Sequence, residues 1–384
     1  MKRRPIALGL GGIVLLSLGA VGAGSAGFRS FGGAPDARSR ARMEASPEFA
    51  DGAFRNPEPT QMMIEGSTAG SLWHWLAGDE MRVPSCPLPL ARTSTVLSAA
   101  PKTGLRVTWL GHSTTLIEID GARVLTDPMW SERASPVSFL GPARFHPPPL
   151  PLSDLPRVDA VLISHEHYDH LDMRTIQALA PRGPVFHVPL GIGAHLLAWG
   201  VPPEQIVEHD WWERAPILPG VEVVSTPARH FNGRGLPWRT GALWTSWSLV
   251  GPQHRVFISG DTGLTEAMRA IAQKEGPFDV VLLEIGQYHH SWGEIHLGPA
   301  GALEAMERLQ AKVLIPIHWG TFSLAYHAWS EPAETVVKLS EGGSAQVLTP
   351  LLGEAIEPTL APPTPRWWRQ LPPETKTCIG SGDG

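Results

Sequence analysis

The chain has 384 residues, a formal net charge of -6 at pH 7 and only two cysteines. This length allows one large core or two smaller ones, and the acidic balance argues against a nucleic-acid partner. Two cysteines exclude a framework of several disulfides and a cysteine-built zinc site, and they do not identify the redox compartment.

The first segment in chain order is a basic start, MKRRP, followed by an uncharged apolar run from Ile6 to Ala26. A basic start and small residues after an apolar run are typical of a secretory signal peptide. The run is also close to the roughly 20 residues that span a bilayer. Residues 1–27 are therefore interpreted as a cleaved signal or an uncleaved anchor, which predicts a periplasmic or membrane-associated protein. We expect residues 28–53 to be a flexible linker and the proline-rich residues 358–384 to be disordered.

The body between these ends begins with strand patterns: RVTWLG, TTLIEID and, after an Asp-Gly turn typical of a hairpin, ARVLTD. VDAVLIS is apolar throughout, as expected for a strand covered on both faces. Further strands are predicted at PVFHVP, VEVVSTPA, TSWSLVG, RVFISGD, DVVLLEIG and KVLIPIH. Helical spacing occurs in MRTIQALA, TEAMRAIAQKEG and GPAGALEAMERLQ. We predict an α/β (α+β) fold in which two mixed β-sheets pack together with helices on their outer faces.

Five of the apolar strands end in side chains that can bind a metal. These side chains are Asp127, the cluster His165, His167, Asp169 and His170, and then His230, Asp261 and His318. If the strands run parallel, their carboxyl ends meet at one edge, where α/β sheets bind ligands. His165 and His167 are two positions apart in an extended segment and project to one side, whereas Asp169 and His170 can face them across a small cavity. This arrangement predicts two metals rather than one.

The pattern His165-x-His167-x-Asp169-His170 is similar to the signature of the metallo-β-lactamase superfamily. Longer blocks resemble N-acylphosphatidylethanolamine-hydrolysing phospholipases D, namely FRNP, WLGHSTTLIEIDGARVLTDPMWSERASPVSFLGPARF, DAVLISHEHYDHLD, GDTG, GPFDVVLLEIGQY and IHWGTFSLA. The resemblance covers roughly Phe54 to Leu352. It implies a metallo-β-lactamase-like αββα sandwich over residues 54–357.

The resemblance also implies roles for particular residues. One zinc ion is expected on His165, His167 and His230, and a second on Asp169, His170 and His318, with Asp261 bridging and with iron or manganese as alternatives. Outer roles that steady imidazoles are implied for Asp127 and Asp172. His296 aligns with a catalytic or substrate-contacting histidine, although the preceding QYHHSWGEIHLGP is shorter here than in mammalian members by about two residues. His112 and Trp292 are possible substrate contacts.

The implied reaction is hydrolysis of a phospholipid phosphodiester. Hydroxide held between the metals attacks phosphorus, and N-acylphosphatidylethanolamine yields phosphatidic acid and an N-acylethanolamine. Asp169, Asp261 and His296 are the expected catalytic residues, the last assisting the leaving oxygen. Tryptophans in predicted loops would approach the membrane surface: Trp73, Trp75, Trp211, Trp212, Trp238 and Trp292.

Three alternatives stay open at this stage. A hydrolase of the same fold could act on a lactone, a thioester or another phosphodiester, since fold does not fix chemistry. A membrane-tethered metal-binding module without catalysis and an oxygen-using iron enzyme are the others. Glu166 is expected to be exposed to solvent, and His289 and His290 to lie at the rim of the site. The sequence does not predict the oligomeric state.

Overall fold

The computed structural model describes residues 29–62, 64, 81–91, 95–234, 241–289 and 291–371. The predicted signal or anchor over residues 1–27 lies outside these ranges, as do Trp73, Trp75, Trp238 and His290. No helix within the described ranges combines the length and apolar character needed to cross a bilayer.

The first of two seven-stranded sheets comes mainly from the first half of the chain. Its strands, in spatial order, are β16 (Ala355–Ile356), β3 (Leu105–Gly111), β4 (Thr114–Ile119), β5 (Ala122–Thr126), β6 (Ala160–Leu162), β7 (Val185–Pro189) and β8 (Ile206–His209). The pairings from β16 to β5 are antiparallel, and those from β5 to β8 are parallel. Every residue of β3 and β4 is buried, because this part of the sheet is covered on both faces.

The second sheet repeats this mixed pattern. Its spatial order is β15 (Gln346–Val347), β14 (Val313–Ile317), β13 (Val280–Glu284), β12 (Arg255–Ile258), β11 (Ser246–Val250), β10 (Val221–Thr226) and β9 (Arg214–Leu218). The pairings from β9 to β12 are antiparallel and those from β12 to β15 are parallel. A separate hairpin joins β1 (Phe49–Ala50) to β2 (Ala53–Phe54).

Helices cover the outer faces of the two sheets. They are α1 (Ala37–Ala45), α2 (Met173–Leu179), α3 (Gly193–Ala198), α4 (Ala267–Glu275), α5 (Gly298–Arg308) and α6 (Glu331–Ser340). One apolar core joins the facing sides of both sheets and includes Ala302 of α5 and Val336 of α6. A second core lies under α2 and α3 and includes Ile176 and Leu196. This four-layer arrangement confirms the predicted αββα sandwich.

The predictions for the two ends of the body are wrong over the residues that the structure describes. α1 lies within the predicted linker, and its Met43 is buried in a small core with Phe54 and Trp211. In the predicted tail, Trp367 and Trp368 are buried, and their rings lie 5.5 and 5.6 Å from that of Trp319. A few large apolar side chains therefore hold both segments against the body.

Candidate metal centre

The predicted ligands follow strands whose carboxyl ends share one edge of the sandwich. β5 and β6 pair in parallel, as do β12, β13 and β14. β10 runs in the direction of β12, because two antiparallel pairings separate them. The structure therefore brings all seven predicted ligands together at this edge.

Three of the strand ends carry a non-glycine residue in the left-handed backbone region. They are His112 (φ 50°), Asp127 (φ 36°) and His318 (φ 66°). Hydrogen bonds hold two of these turns against each other: the His318 N–H donates to the His112 carbonyl at 2.9 Å, and the His112 N–H donates to Thr321 Oγ1 at 2.7 Å. Such conformations cost of order 1–3 kcal/mol each and persist where the surroundings impose them. Three of the eight non-glycine residues with positive φ in the described ranges therefore lie where site side chains leave the sheets.

The first group of ligands consists of His165, His167, His230 and Asp261, each with one ligand atom within 4.8 Å of the others. Nδ1 of His167 lies 2.8 Å from Nε2 of His165 and 3.4 Å from Nε2 of His230. Nδ1 of His230 contacts the carbonyl of Ile295 at 3.0 Å, which assigns the ring proton to Nδ1 and leaves the Nε2 lone pair for a metal. Three imidazole nitrogens that face one another fit a single cation.

The second group consists of Asp169, His170 and His318 together with His112. Nδ1 of His170 donates to Asp127 at 2.8 Å, so that the other nitrogen of this ring, Nε2, is free to bind a metal. His170 Nε2 and Asp261 Oδ1 are among the buried polar atoms of the described residues that make no hydrogen bond of good geometry, although they lie only 3.2 Å apart. Buried polar atoms are almost always well partnered, so two ligand atoms that converge in this way without a well-formed hydrogen bond fit a bound cation.

Asp261 lies between the two groups. Its Oδ2 is 3.8 Å from Nε2 of both His165 and His230. Its Oδ1 is 3.2 Å from Nε2 of His170 and 2.6 Å from Nδ1 of His318. One carboxylate oxygen therefore faces each group, which is the geometry that a bridging ligand requires.

Burial and charge set the protonation of these side chains. Burial holds the pKa of His165 and of His230 well below the usual range, and it lowers the pKa of His318 to about 3. Burial would also lower the pKa of His170, but the carboxylates of Asp261 and Asp169 raise it well above its usual value. Most of the cluster is thus neutral imidazole, the form that binds metals.

His296 pairs with Glu284, a buried residue that the sequence analysis did not single out. Its Nδ1 lies 2.6 Å from Oε2 of Glu284, which is fully buried at the end of β13. Burial would lower the pKa of His296, yet the Glu284 carboxylate raises it to about 9. Glu284 also accepts the backbone N–H of Thr262 at 2.6 Å, just after the bridging residue Asp261. The signal was present, since DVVLLE ends in a carboxylate as RVFISGD does.

Glu166 is buried, so the expectation that it is exposed to solvent is wrong. Its carboxylate lies 3.0 Å from Nε2 of His195 on α3, and Arg234 donates to the backbone carbonyls of Glu166 and Leu171 at 2.9 and 2.7 Å. The Arg234 guanidinium lies 4.2 Å from the ring centroid of Tyr168. Arg234 therefore fixes both ends of the segment that carries four predicted ligands, by contacts that sequence spacing does not reveal.

Four other residues were predicted at the site: two as outer residues that steady imidazoles, Asp127 and Asp172, and two as substrate contacts, His112 and Trp292. Asp127 contacts an imidazole as expected, but Asp172 does not: it caps α2 and accepts the hydroxyls of Ser131 and Thr175. His112 is fully buried with Nε2 2.8 Å from Asp169 Oδ2, so it contacts a predicted ligand rather than the cavity. Trp292 lines the cavity described below.

The structure also places His289, which was expected at the rim of the site, and two of the tryptophans expected in loops, Trp211 and Trp212. His289 is half-buried, with its ring 4.7 Å from that of Tyr326. Trp211 is buried, and its indole donates to the Trp244 carbonyl at 2.8 Å, while Trp212 stacks under Lys274 at 3.8 Å. Both tryptophans therefore pack against the body rather than project from it.

A cavity of about 740 Å³ opens over the two groups. Its polar lining consists of His167, Asp169, His230, Asp261, Gln287, His296 and His318, and its apolar lining of Met62, Phe231, Trp292, Ile295 and Leu324. The cavity therefore has a polar floor of predicted ligands and mainly apolar walls.

This fold and site define a metal-dependent hydrolase of the metallo-β-lactamase type. A family model described as a beta-lactamase superfamily domain matches residues 122–319, just over half of the chain, and the chain belongs to this superfamily. The buried histidine and carboxylate groups at the strand ends agree with metal binding in such a protein.

The chain is similar to two further relatives and to one solved structure. An uncharacterized protein of Mycobacterium tuberculosis is 46% identical over 344 residues, 88% of this chain and 91% of its own length. N-acyl-phosphatidylethanolamine-hydrolyzing phospholipase D 1 of Caenorhabditis elegans is 34% identical over 252 residues, 62% of this chain and 71% of its own length. Igni18, a metallo hydrolase of Ignicoccus hospitalis, matches with a TM-score of 0.51 and 24% identity over 66% of this chain and 97% of its own, which shows the shared fold.

Proposed function

We propose that this chain is a dinuclear metal-dependent phosphodiesterase that hydrolyses N-acylphosphatidylethanolamine to phosphatidic acid and an N-acylethanolamine. The observation that carries the proposal is the cavity, which combines a cluster of histidines and aspartates on its floor with apolar walls. A phospholipid has the same division, since its phosphodiester is anionic and its acyl chains are apolar.

In this proposal the two ligand groups hold two zinc ions. His165, His167 and His230 would hold one ion, and Asp169, His170 and His318 would hold the other. Asp261 is shared, in keeping with its oxygens' separate contacts to the two groups. Bound divalent cations supply Lewis-acid polarisation of a phosphoryl oxygen and lower the pKa of water.

The chain's own residues complete the site. Because Nδ1 of His296 is committed to Glu284 and the side chain lines the cavity, its Nε2 is the atom available to substrate. His296 would donate a proton to the departing ethanolamide oxygen, a step that a positioned imidazole commonly assists. The walls formed by Met62, Phe231 and Trp292 would hold the acyl chains and exclude water.

The choice of phospholipid over other esters rests on similarity to named relatives as well as on the cavity. The phospholipases D of Caenorhabditis elegans and of Saccharomyces cerevisiae, 34% and 32% identical to this chain, are named for N-acylphosphatidylethanolamine. An apolar wall by itself would also suit a long-chain lactone, and the experiment below separates the two.

The test is turnover by the purified, metal-loaded chain of N-acylphosphatidylethanolamine, an acyl lactone and a soluble phosphodiester, with products identified by mass spectrometry. We expect phosphatidic acid and N-acylethanolamine, two metal ions per chain, and loss of turnover in the chelated protein. Lactone opening without phospholipid cleavage would refute the substrate class, and full activity in metal-free protein would refute the metal mechanism. Metal analysis of the same sample distinguishes zinc from iron or manganese.

We also propose that the chain is exported or held at a membrane by its N-terminal segment. The support is the uncharged run from Ile6 to Ala26 behind a basic start. Cell fractionation tests it, and an intact N-terminus found only in the cytosol would contradict it.

A further inference from the structure

Two adjacent apolar side chains project from a loop near the ligand segment. Phe139 and Leu140 have 66% and 63% of their surface exposed. The loop that carries them, residues 133–143, is closed by a bridge between Arg133 and Ala143 and by a hydrogen bond from the Ala134 N–H to the Pro142 carbonyl at 3.0 Å. The loop's base is therefore fixed by backbone pairing, while its tip presents apolar surface to solvent, a feature that marks interaction sites.

Arginines surround this loop. A cavity of about 510 Å³ is lined by Phe139 of the loop, by the exposed Arg29 and Arg174 and by the half-buried Arg133. Arg234 also lines it, but its guanidinium is buried and bound to backbone carbonyls. Of the two acidic residues in the same lining, Glu132 is exposed and Asp172 is committed to Ser131, Thr175 and the start of α2. The accessible charges of this face are therefore three arginines against Glu132, a net positive charge on a chain whose net charge is -6. Arginines next to exposed apolar side chains complement an anionic lipid surface.

Arg29 and Ser30, which follow the N-terminal apolar run in the sequence, also lie at this face. The Trp199 indole donates to the Arg29 carbonyl at 2.7 Å, and Arg234 Nε donates to the Ser30 carbonyl at 3.0 Å. These bonds fix Arg29 on the body beside the arginine-lined cavity. The uncharged run of the sequence ends at Ala26, and three residue steps span at most about 11 Å. A lipid-embedded run would therefore hold the bilayer close to this face.

We propose that the face formed by the 133–143 loop and its surrounding arginines docks on an anionic lipid bilayer, with Phe139 and Leu140 inserted at the interface. The same ligand segment separates this face from the metal centre: His167 and Asp169 line one cavity, and Tyr168 and Leu171 line the other. Docking would therefore bring the bilayer close to the metal centre. The expected effect of docking on phospholipid turnover rests on the proposed phospholipase function. Lipid contact itself does not depend on that function.

The test uses the full chain on vesicles of phosphatidylcholine with and without phosphatidylglycerol. An environment-sensitive fluorophore is attached at Ser138→Cys in the loop or, as matched control, at Leu339→Cys. Leu339 is 52% exposed on α6. This helix packs on the core that joins the two sheets and not on the core under α2 and α3. We expect blue-shifted emission, quenched by spin-labelled lipid, at Ser138→Cys only, and stronger with phosphatidylglycerol. Water-like emission from Ser138→Cys in the vesicle-bound chain overturns the proposal, as does equal quenching at both positions. A blue shift that depends on protein concentration without lipid also overturns it and assigns the face to a second copy.

Substitutions give an independent readout. Phe139→Ser with Leu140→Ser should raise the KM for vesicle lipid about tenfold or more, since each large apolar side chain contributes substantially when buried. Arg174→Gln should weaken vesicle binding about fivefold, as expected for one charge near an anionic surface. Turnover of a soluble short-chain phosphodiester should stay unchanged in all of these variants, and Leu339→Ser should change neither activity. If vesicle lipid proves not to be a substrate, the proposed function fails while the fluorescence result still decides the docking face. Unchanged KM on vesicles in the double serine variant, when vesicle lipid is turned over, would contradict lipid docking.

Discussion

Replacing Glu284 by glutamine isolates the support that the buried carboxylate gives to His296. The amide has nearly the same shape and can still accept a hydrogen bond from Nδ1, but it carries no charge. The residues that hold the proposed ions are unchanged, so the expected effect is on proton donation to the leaving oxygen.

The structure sets the size of this effect. The contact between Glu284 Oε2 and His296 Nδ1 is 2.6 Å and both side chains are largely buried, so it is a charge-assisted hydrogen bond with little solvent screening. Such bonds contribute about 1.5–3 kcal/mol. If this stabilises the protonated imidazole in the transition state, Glu284→Gln should lower kcat about 10- to 150-fold.

The assay compares two phosphodiesters that differ only in the leaving group. An alkoxide needs a proton as it departs, whereas nitrophenolate leaves without one. We expect kcat to fall for the alkoxide substrate, with KM and metal content little changed, and we expect the nitrophenyl substrate to react at the original rate. The control is Glu275→Gln, since Glu275 is also a buried carboxylate but pairs with Arg214 at 2.9 Å.

Two results would refute the reasoning. An equal loss for both substrates would mean that Glu284 acts on folding or metal binding rather than on proton donation. Unchanged rates for both would mean that the pair has no part in the reaction.

The double variant of Glu284→Gln and His296→Gln should be no slower than His296→Gln alone, because residues that act as one unit are not additive.

Three further predictions concern the ligands and the core. Asp261→Asn should abolish turnover and leave fewer than two metal ions per chain by elemental analysis, and a fully loaded variant would count against the bridging role. Asp127→Asn should weaken metal binding about 10- to 100-fold in chelator competition, because His170 loses its orienting partner, and excess metal should restore turnover. Burial lowers the pKa of His187 to about 3 and of His209 to about 4, so the unfolded chain alone takes up these protons below pH 6.5. The free energy of unfolding should therefore fall as the pH drops from 6.5, by about 2 kcal/mol per histidine at pH 5. Urea titrations between pH 6.5 and 5 should show a flatter decline of the free energy of unfolding in the double variant of His187→Asn and His209→Asn. Equal slopes in the variant and the original chain would contradict the assignment.

The sequence by itself predicted the five inner strands of each sheet and the seven candidate ligands, but not the edge strands β8, β9, β15 and β16. Strands such as VLLE and LIPI are short apolar runs whose burial on both faces follows from composition alone. The cluster from His165 to His170 lies within six positions, so its relative geometry is largely local. The more distant members were identifiable because each lies within four residues of the end of such a strand.

Tertiary structure decided everything that depends on side chains meeting across the chain. The Glu284 carboxylate meets His296 only because β13 brings it to the same edge as Asp261. Arg234 reaches the ligand segment from more than sixty positions away, and α1 is held by a few large side chains in a segment whose composition predicts a linker. Exposure of Phe139 and Leu140 likewise has no sequence signal, since an apolar pair is equally suited to a core. Local pattern specifies which residues can be buried or bind a metal, whereas the packing of distant segments decides which partner each one has.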